Sequence, residues 1–201
     1  MLSFEQKLDR YAELAVRVGA NVQPGQVFVI SAMIDTAEFV RLLVRKGYEA
    51  GAKQVIVKYG DETVNRLRFE MAPEESFQEP PKWHAAELEE LAANNAAFLT
   101  VLSSSPDLMK GIDPERISTH QRTFGRAMAK YRQYQQADKM SWTGVACPSP
   151  DWAAKVFPNL PAVEQVSQLW EAIFAAVRAD LEDPVAAWEQ HIERLRPKPL
   201  P

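Results

Sequence analysis

Three histidines, His84, His120 and His191, and a single cysteine, Cys147, are the side chains of this chain best suited to holding a metal or attacking a substrate. A metal site needs several such ligands brought together, and pairings such as His-x-His or His-Glu-x-x-His announce one. No such pairing occurs, and each imidazole falls in a different predicted helix. His84 follows Trp83 at the entry to a helix and reads as a surface or capping residue. His120 lies in a basic helix and reads the same way. His191 borders the apolar face of Trp188 and Ile192, which suits a boundary residue better than a ligand. Cys147 follows a predicted strand, and open α/β sheets bind ligands beyond the carboxyl ends of their strands. A nucleophilic thiol also needs a base and an electropositive setting. Neither can be placed, so Cys147 is expected to be a small buried residue ahead of Pro148.

Other polar groups carry weaker signals. Arg122, Arg126 and Lys130 recur four apart, hence on one helical face. Arg116 and Arg132 flank them, and Asp138 is the only acid between Arg116 and Lys139. The pattern could make an anion or partner surface, but a solvated face is the favoured reading. Ser31, Asp35, Asp61 and Ser103 sit at predicted strand ends, with nothing to fix a common geometry. No two glycines are spaced as Gly-x-Gly, so the dinucleotide fingerprint is absent, and there is no Gly-Lys-Ser/Thr phosphate loop.

These residues must be held by a regular alternation of elements. Ser3 and Gln6 form a capping box ahead of a helix whose apolar stripe is Phe4, Leu8, Tyr11, Ala15 and Val18, with Gly19 at its end. Gln23-Pro24-Gly25-Gln26 is a tight turn into a first strand, 27–31. Asp35 or Thr36 caps a helix that Gly51 stops, before a second strand, 54–59. Helices follow from Thr63 to Met71 and from Trp83 to Ala93, with Pro80-Pro81 marking the loop between them. A third strand spans 97–102. Asp113-Pro114 opens a helix running to about Gln136, and a fourth, weaker strand covers 140–146. A short helix at 151–156 precedes two long ones. The first carries Val163, Val166, Leu169, Trp170, Ile173, Phe174 and Val177 on one stripe. The second carries Val185, Trp188, Ile192 and Leu195. Short apolar strands alternating with helices predict an α/β fold: a mainly parallel sheet flanked by helices, with a helical C-terminal end. Trp170 and Trp188 are expected to be largely buried.

Composition narrows the setting. A net charge of −4 gives no support for a nucleic-acid partner. A lone cysteine cannot form an internal disulfide, and Met1 leads straight into a polar segment with no export signal, so a cytoplasmic setting is expected. No apolar run approaches the roughly 20 residues that span a bilayer.

Longer stretches carry a resemblance. Asn21 to Val27 is similar to the first turn and strand of the metallopeptidases of the aminopeptidase T, aminopeptidase S and PepS family. Gly51-Ala52-Lys53 leading into Val55-Ile56-Val57 and Tyr59-Gly60-Asp61 resembles their second strand. The most specific landmarks are Pro148-Ser149-Pro150-Asp151-Trp152, then Phe157-Pro158, Leu169-Trp170-Glu171, and Asp183-Pro184 with Trp188 and His191. The resemblance covers residues 2 to 196. It implies an N-terminal α/β domain, 1–196, of an exopeptidase that removes N-terminal residues from peptides with two divalent cations of the zinc, cobalt or manganese type, often as a homodimer. It also implies that the metal ligands, a set of Glu, His, Tyr and Asp, lie in a C-terminal catalytic half. No catalytic, cofactor-binding or metal residue is therefore assigned in this chain, and the chain alone is expected to be inactive. Residues 197–201, where Pro197 would end the family's helix, read as a Pro-rich tail left by truncation or frameshift. The alternative is a non-enzymatic binding or regulatory module derived from the same fold.

Overall fold

The first helix begins where the capping box sets it. In a computed structural model that describes residues 2–80 and 82–195, the Ser3 hydroxyl accepts from the Gln6 N–H at 3.2 Å, and the Gln6 carboxamide oxygen accepts from the Ser3 N–H at 2.8 Å. Two orphan donors of α1 (Phe4–Leu14) are thereby satisfied. The stripe does not continue as α-helix to Gly19. Ala15–Gly19 is a wider π turn, closed by the Ala20 N–H donating to the Ala15 carbonyl. It brings Gly19 against Thr143, so that an added Cβ would lie 3.2 Å from that side chain.

Four strands follow the sequence pattern: β1 (Val27–Met33), β2 (Gln54–Gly60), β3 (Ala97–Leu102) and β4 (Trp142–Ala146). They form one parallel sheet in the order β2-β1-β3-β4. β1 runs two residues past the predicted end, which moves Ser31 inside the strand, opposite Lys58 and Thr100. β4 starts two residues late, because Met140 is taken up in a buried cluster instead.

The continuous apolar runs mark strands covered on both sides. Phe28 and Ile30 of β1 face one core, with Leu99 and Val145. Val29 and Phe98 face the other. The first face is covered by α1, by α2 (Ala37–Glu49), which a 3-10 turn at Ile34–Thr36 precedes, and by α8 (Ala162–Val177). Thr36 occupies the position before α2 but makes no side-chain cap; its hydroxyl donates to the Met33 carbonyl at 2.7 Å. α2 packs so closely on β1 that a Cβ at Gly47 would lie 2.8 Å from Phe28 Cδ1. The second face is covered by α4 (Lys82–Ala93) and α6 (Ala129–Gln136). The expected single helix over 114–136 is instead α5 (Pro114–Ala127) and α6, broken at Met128, which is buried against the sheet.

α3 (Glu62–Met71), a 3-10 turn at Glu74–Phe77 and the start of α5 enclose a small satellite cluster of Phe69, Phe77 and Ile112. α7 (Pro150–Val156) packs on α8, and α9 (Pro184–Leu195) leans on α1. The expectation for the two tryptophans holds in part: both are partly buried, Trp170 against the main core. Trp170 stacks on Phe174 at 5.3 Å but keeps an open edge. Trp188 donates its indole N–H to the Val177 carbonyl at 2.8 Å, so its polar tip stays where that bond needs it. Val163, placed on the apolar stripe, is 90% exposed because it stands in the first turn of α8, ahead of the packed segment. Pro81, Arg196 and the 197–201 tail lie outside the described residues. Among those described, no helix is long and apolar enough to cross a membrane.

Candidate functional site

The chain passes from β1 outward to β2 and then returns to the other side of β1 for β3. That reversal opens a crevice beyond the carboxyl ends of β1 and β3, the place where sheets of this type take ligands. Its rim is Ile34 and Asp35 after β1, Tyr59 and Asp61 at the end of β2, and Leu102 to Ser105 after β3.

Apart from the exposed Asp35, the carboxylates at and beside this rim are spent on local structure. Asp61 caps α3 by accepting from the Val64 N–H at 2.9 Å. Glu62 accepts from the Ser105 N–H at 2.9 Å, and the Ser105 hydroxyl donates to Asp151 at 2.7 Å. Asp107 pairs with Lys155 at 2.8 Å, and that lysine draws its carboxyl below the ordinary value. Ser103 is buried and Asp35 is exposed, so the Ser/Asp candidates from the sequence do not converge. What the rim offers outward is apolar. Ile34, just after β1, and Tyr59 and Leu102, at the ends of β2 and β3, are 45%, 44% and 54% exposed.

Cys147 is buried, and burial pushes its thiol up to about 12. It is packed in the main core as expected and holds no thiolate at neutral pH. The imidazoles are less solvated than a surface reading allows. His84 stacks on Phe124 at 6.2 Å, and burial, then the Lys58 charge, lowers its pKa. His120 packs against Phe69, Phe77 and Phe124, with its Nδ1 3.4 Å from Arg68 Nη1. Burial, then the Arg68 charge, lowers its pKa also. His191 stays at a boundary, edge-on to Trp188, with Nδ1 3.2 Å from Arg178 Nη2.

Two imidazoles therefore share one phenylalanine, an arrangement that no local spacing in the sequence announces. Among the described residues, no group of three or more His, Cys, Asp or Glu side chains is arranged to hold a metal ion. The basic stripe is largely a solvated face: Arg122, Arg126, Lys130 and Arg132 are exposed, Lys130 pairs with Glu89 at 2.8 Å, and Arg116 pairs with Glu74 at 2.5 Å.

Comparison with known proteins supplies what the rim does not. The model of the thermophilic metalloprotease (M29) family matches residues 4–198. Aminopeptidase AmpS of Bacillus subtilis (strain 168) is 51% identical over 198 residues, covering 98% of this chain and 48% of that protein. Aminopeptidase 2 of Geobacillus stearothermophilus is 45% identical over 97% of this chain and 47% of its own length. The solved structure of wild-type AmpT from Thermus thermophilus superposes with a TM-score of 0.87 at 38% identity, over 96% of this chain and 47% of that one. The chain spans about half the length of the relatives it matches.

Proposed function

The chain belongs to the thermophilic metalloprotease family M29, and from that membership we propose that it forms the N-terminal α/β half, residues 1–196, of a metal-dependent aminopeptidase acting on peptides. One observation carries the reading: the match runs through nearly all of this chain yet takes in only about half of each relative. The family description implies metal ions, and the residues of this chain do not fit them. Among the described residues no ligand group converges, the imidazoles at 84 and 120 lie between aromatic rings, and the carboxylates of Asp61, Glu62, Asp107 and Asp151 are tied to backbone, hydroxyl or lysine partners. We assign two divalent cations, of the zinc, cobalt or manganese type, to the other half.

A metal pair of this kind polarises a scissile carbonyl and lowers the pKa of a bridging water. The part of this chain is to supply a rigid parallel sheet whose exposed Ile34, Tyr59 and Leu102 give the second half an apolar surface to rest on. A homodimer and a cytoplasmic setting belong to the same reading, the latter in keeping with one free, buried cysteine. The non-enzymatic alternative is not favoured, because the relatives described above are named as aminopeptidases.

The test is a direct assay. The purified chain, given zinc, cobalt or manganese, is expected to release no N-terminal residues from peptides. Fused to the unmatched portion of the Bacillus subtilis relative, it is expected to show chelator-sensitive turnover. Chelator-sensitive turnover by the chain alone, surviving removal of host peptidases, would overturn the assignment of the metals to the other half.

A further inference from the structure

Arg68, beside the satellite cluster, makes no salt bridge among the described residues. Its neighbours are matched: Arg66 pairs with Glu70 at 2.8 Å, and Arg116 with Glu74 at 2.5 Å. Arg68 has only two long contacts, to His120 Nδ1 and to the Ser76 carbonyl, both at 3.4 Å. Its guanidinium is held in place by rings instead, 4.9 Å from the centre of Phe77 and 5.8 Å from that of Phe69. A guanidinium presents five donors in a planar fork, shaped to take both oxygens of a carboxylate. Here most of the fork is unused while its orientation is set by packing.

Arg68 and His120, which touch each other, both line one pocket. Between α3 and α5 lies a pocket of about 270 Å³ lined by Arg68, His120 and Asn65 and by the apolar side chains of Phe69, Met109 and Ile117. A small concave site with an apolar wall and a few converging polar groups is the usual form of a ligand pocket. Its size suits a small ligand. Its charge suits an anion, since Arg66 and Arg116 are already neutralised and Arg68 is not. A free ammonium beside Arg68 would be repelled, which disfavours a free amino acid.

We propose that the pocket between α3 and α5 binds the carboxylate of a small apolar acid, of the kind presented by an N-blocked amino acid or the C-terminal residue of a peptide. Arg68 receives both oxygens, and Phe69, Met109 and Ile117 pack on the apolar body. This site stands on the geometry of Arg68 and does not depend on the metal chemistry of the family.

His120 reports on occupancy. It faces Arg68 from α3. The paired Arg116 and Glu74 lie beyond Phe77, and His84 of α4 lies across Phe124. Arg68 adds to the burial that holds its pKa down. A bound carboxylate offsets that guanidinium charge, so the pKa of His120 rises on binding, and binding strengthens as pH falls through it.

The experiment is an NMR titration of the histidine ring signals of the purified chain with N-acetyl-leucine, N-acetyl-leucinamide and inorganic phosphate. The acid is expected to shift the His120 signals saturably and to raise the pKa read from them. The amide, lacking the charge, should bind about tenfold more weakly or worse, as should the acid on Arg68→Gln; a charge-assisted hydrogen-bond pair is worth that much. Equal binding of acid and amide to the wild-type chain overturns the proposal without any variant. So does an absence of saturable shifts, or phosphate binding as tightly as the acid, which would show general anion attraction.

Discussion

The Tyr11 hydroxyl serves both backbone groups of one residue. It donates to the Ala146 carbonyl at 3.0 Å and accepts from the Ala146 N–H at 2.9 Å. Ala146 ends β4, an edge strand, so these groups have no neighbouring strand to pair with. Burial also pushes the phenol above its usual range, which keeps it protonated as the donor it must be. Tyr11→Phe is expected to lower stability by about 1–3 kcal/mol, since both groups would be stranded beside the core. A urea midpoint equal to that of the parent chain would show that water replaces the hydroxyl freely. Tyr11 was legible as a member of an apolar stripe, but its partner 135 residues away was not. The same limit applies to His120: its place in a helix was readable, whereas Arg68, 52 residues earlier, shares no local pattern with it. Cys147 was legible because a small residue before Pro148 at the end of a strand has one common fate, burial.

At the scale of elements, periodicity carried the reading. All four strands and most helices lie where apolar spacing places them, because each buries a face whose repeat is its own geometry. The departures arise where tertiary contacts outweigh local pattern. Met128 is drawn into the core and breaks the α5–α6 helix; Gly19 closes on Thr143 through a π turn. Gly47 gives a sharper test. Alanine at a helix interior is worth about 1 kcal/mol over glycine. At this position the new Cβ would lie 2.8 Å from Phe28 Cδ1 and 3.3 Å from Val55 Cγ2, and Phe28 is fully buried in the sheet. Gly47→Ala is therefore expected to destabilise the chain by about 1–3 kcal/mol, the usual cost of overpacking. A raised thermal midpoint would mean that α2 can lift from β1. The rim of the crevice was only half legible. The strand ends could be located from sequence, but the pairing of Glu62 with Ser105 and of Ser105 with Asp151 depends on loops that carry no repeat.

For the molecule as a whole, the two aromatic-packed imidazoles set an acid limit. His84 and His120 have folded pKa values below their ordinary 6.5. Once pH falls below about 6.5 the unfolded chain takes up protons that the folded chain resists, so stability declines from there until the folded values are passed. Urea midpoints at about pH 7.5 and about pH 5.5 should differ, and His84→Asn with His120→Asn should shrink that difference. An unchanged difference would assign the decline to carboxylates. α1 is held by near and by distant parts of the chain: Tyr11 stacks on Phe39 at 5.2 Å, and Asp9 pairs with Lys46 at 2.9 Å. Its distant partners are Ala146, Glu171 at 2.6 Å from Lys7, and the Leu181 carbonyl, which accepts from Arg10. They lie 135 to 171 residues downstream. α1 can therefore dock on α2 as soon as that helix is made, whereas the part of its face that α8 covers stays open until late in the chain. Closing a loop of that length is slow, so the seam between α1 and α8, not that between α1 and α2, is the last to be sewn.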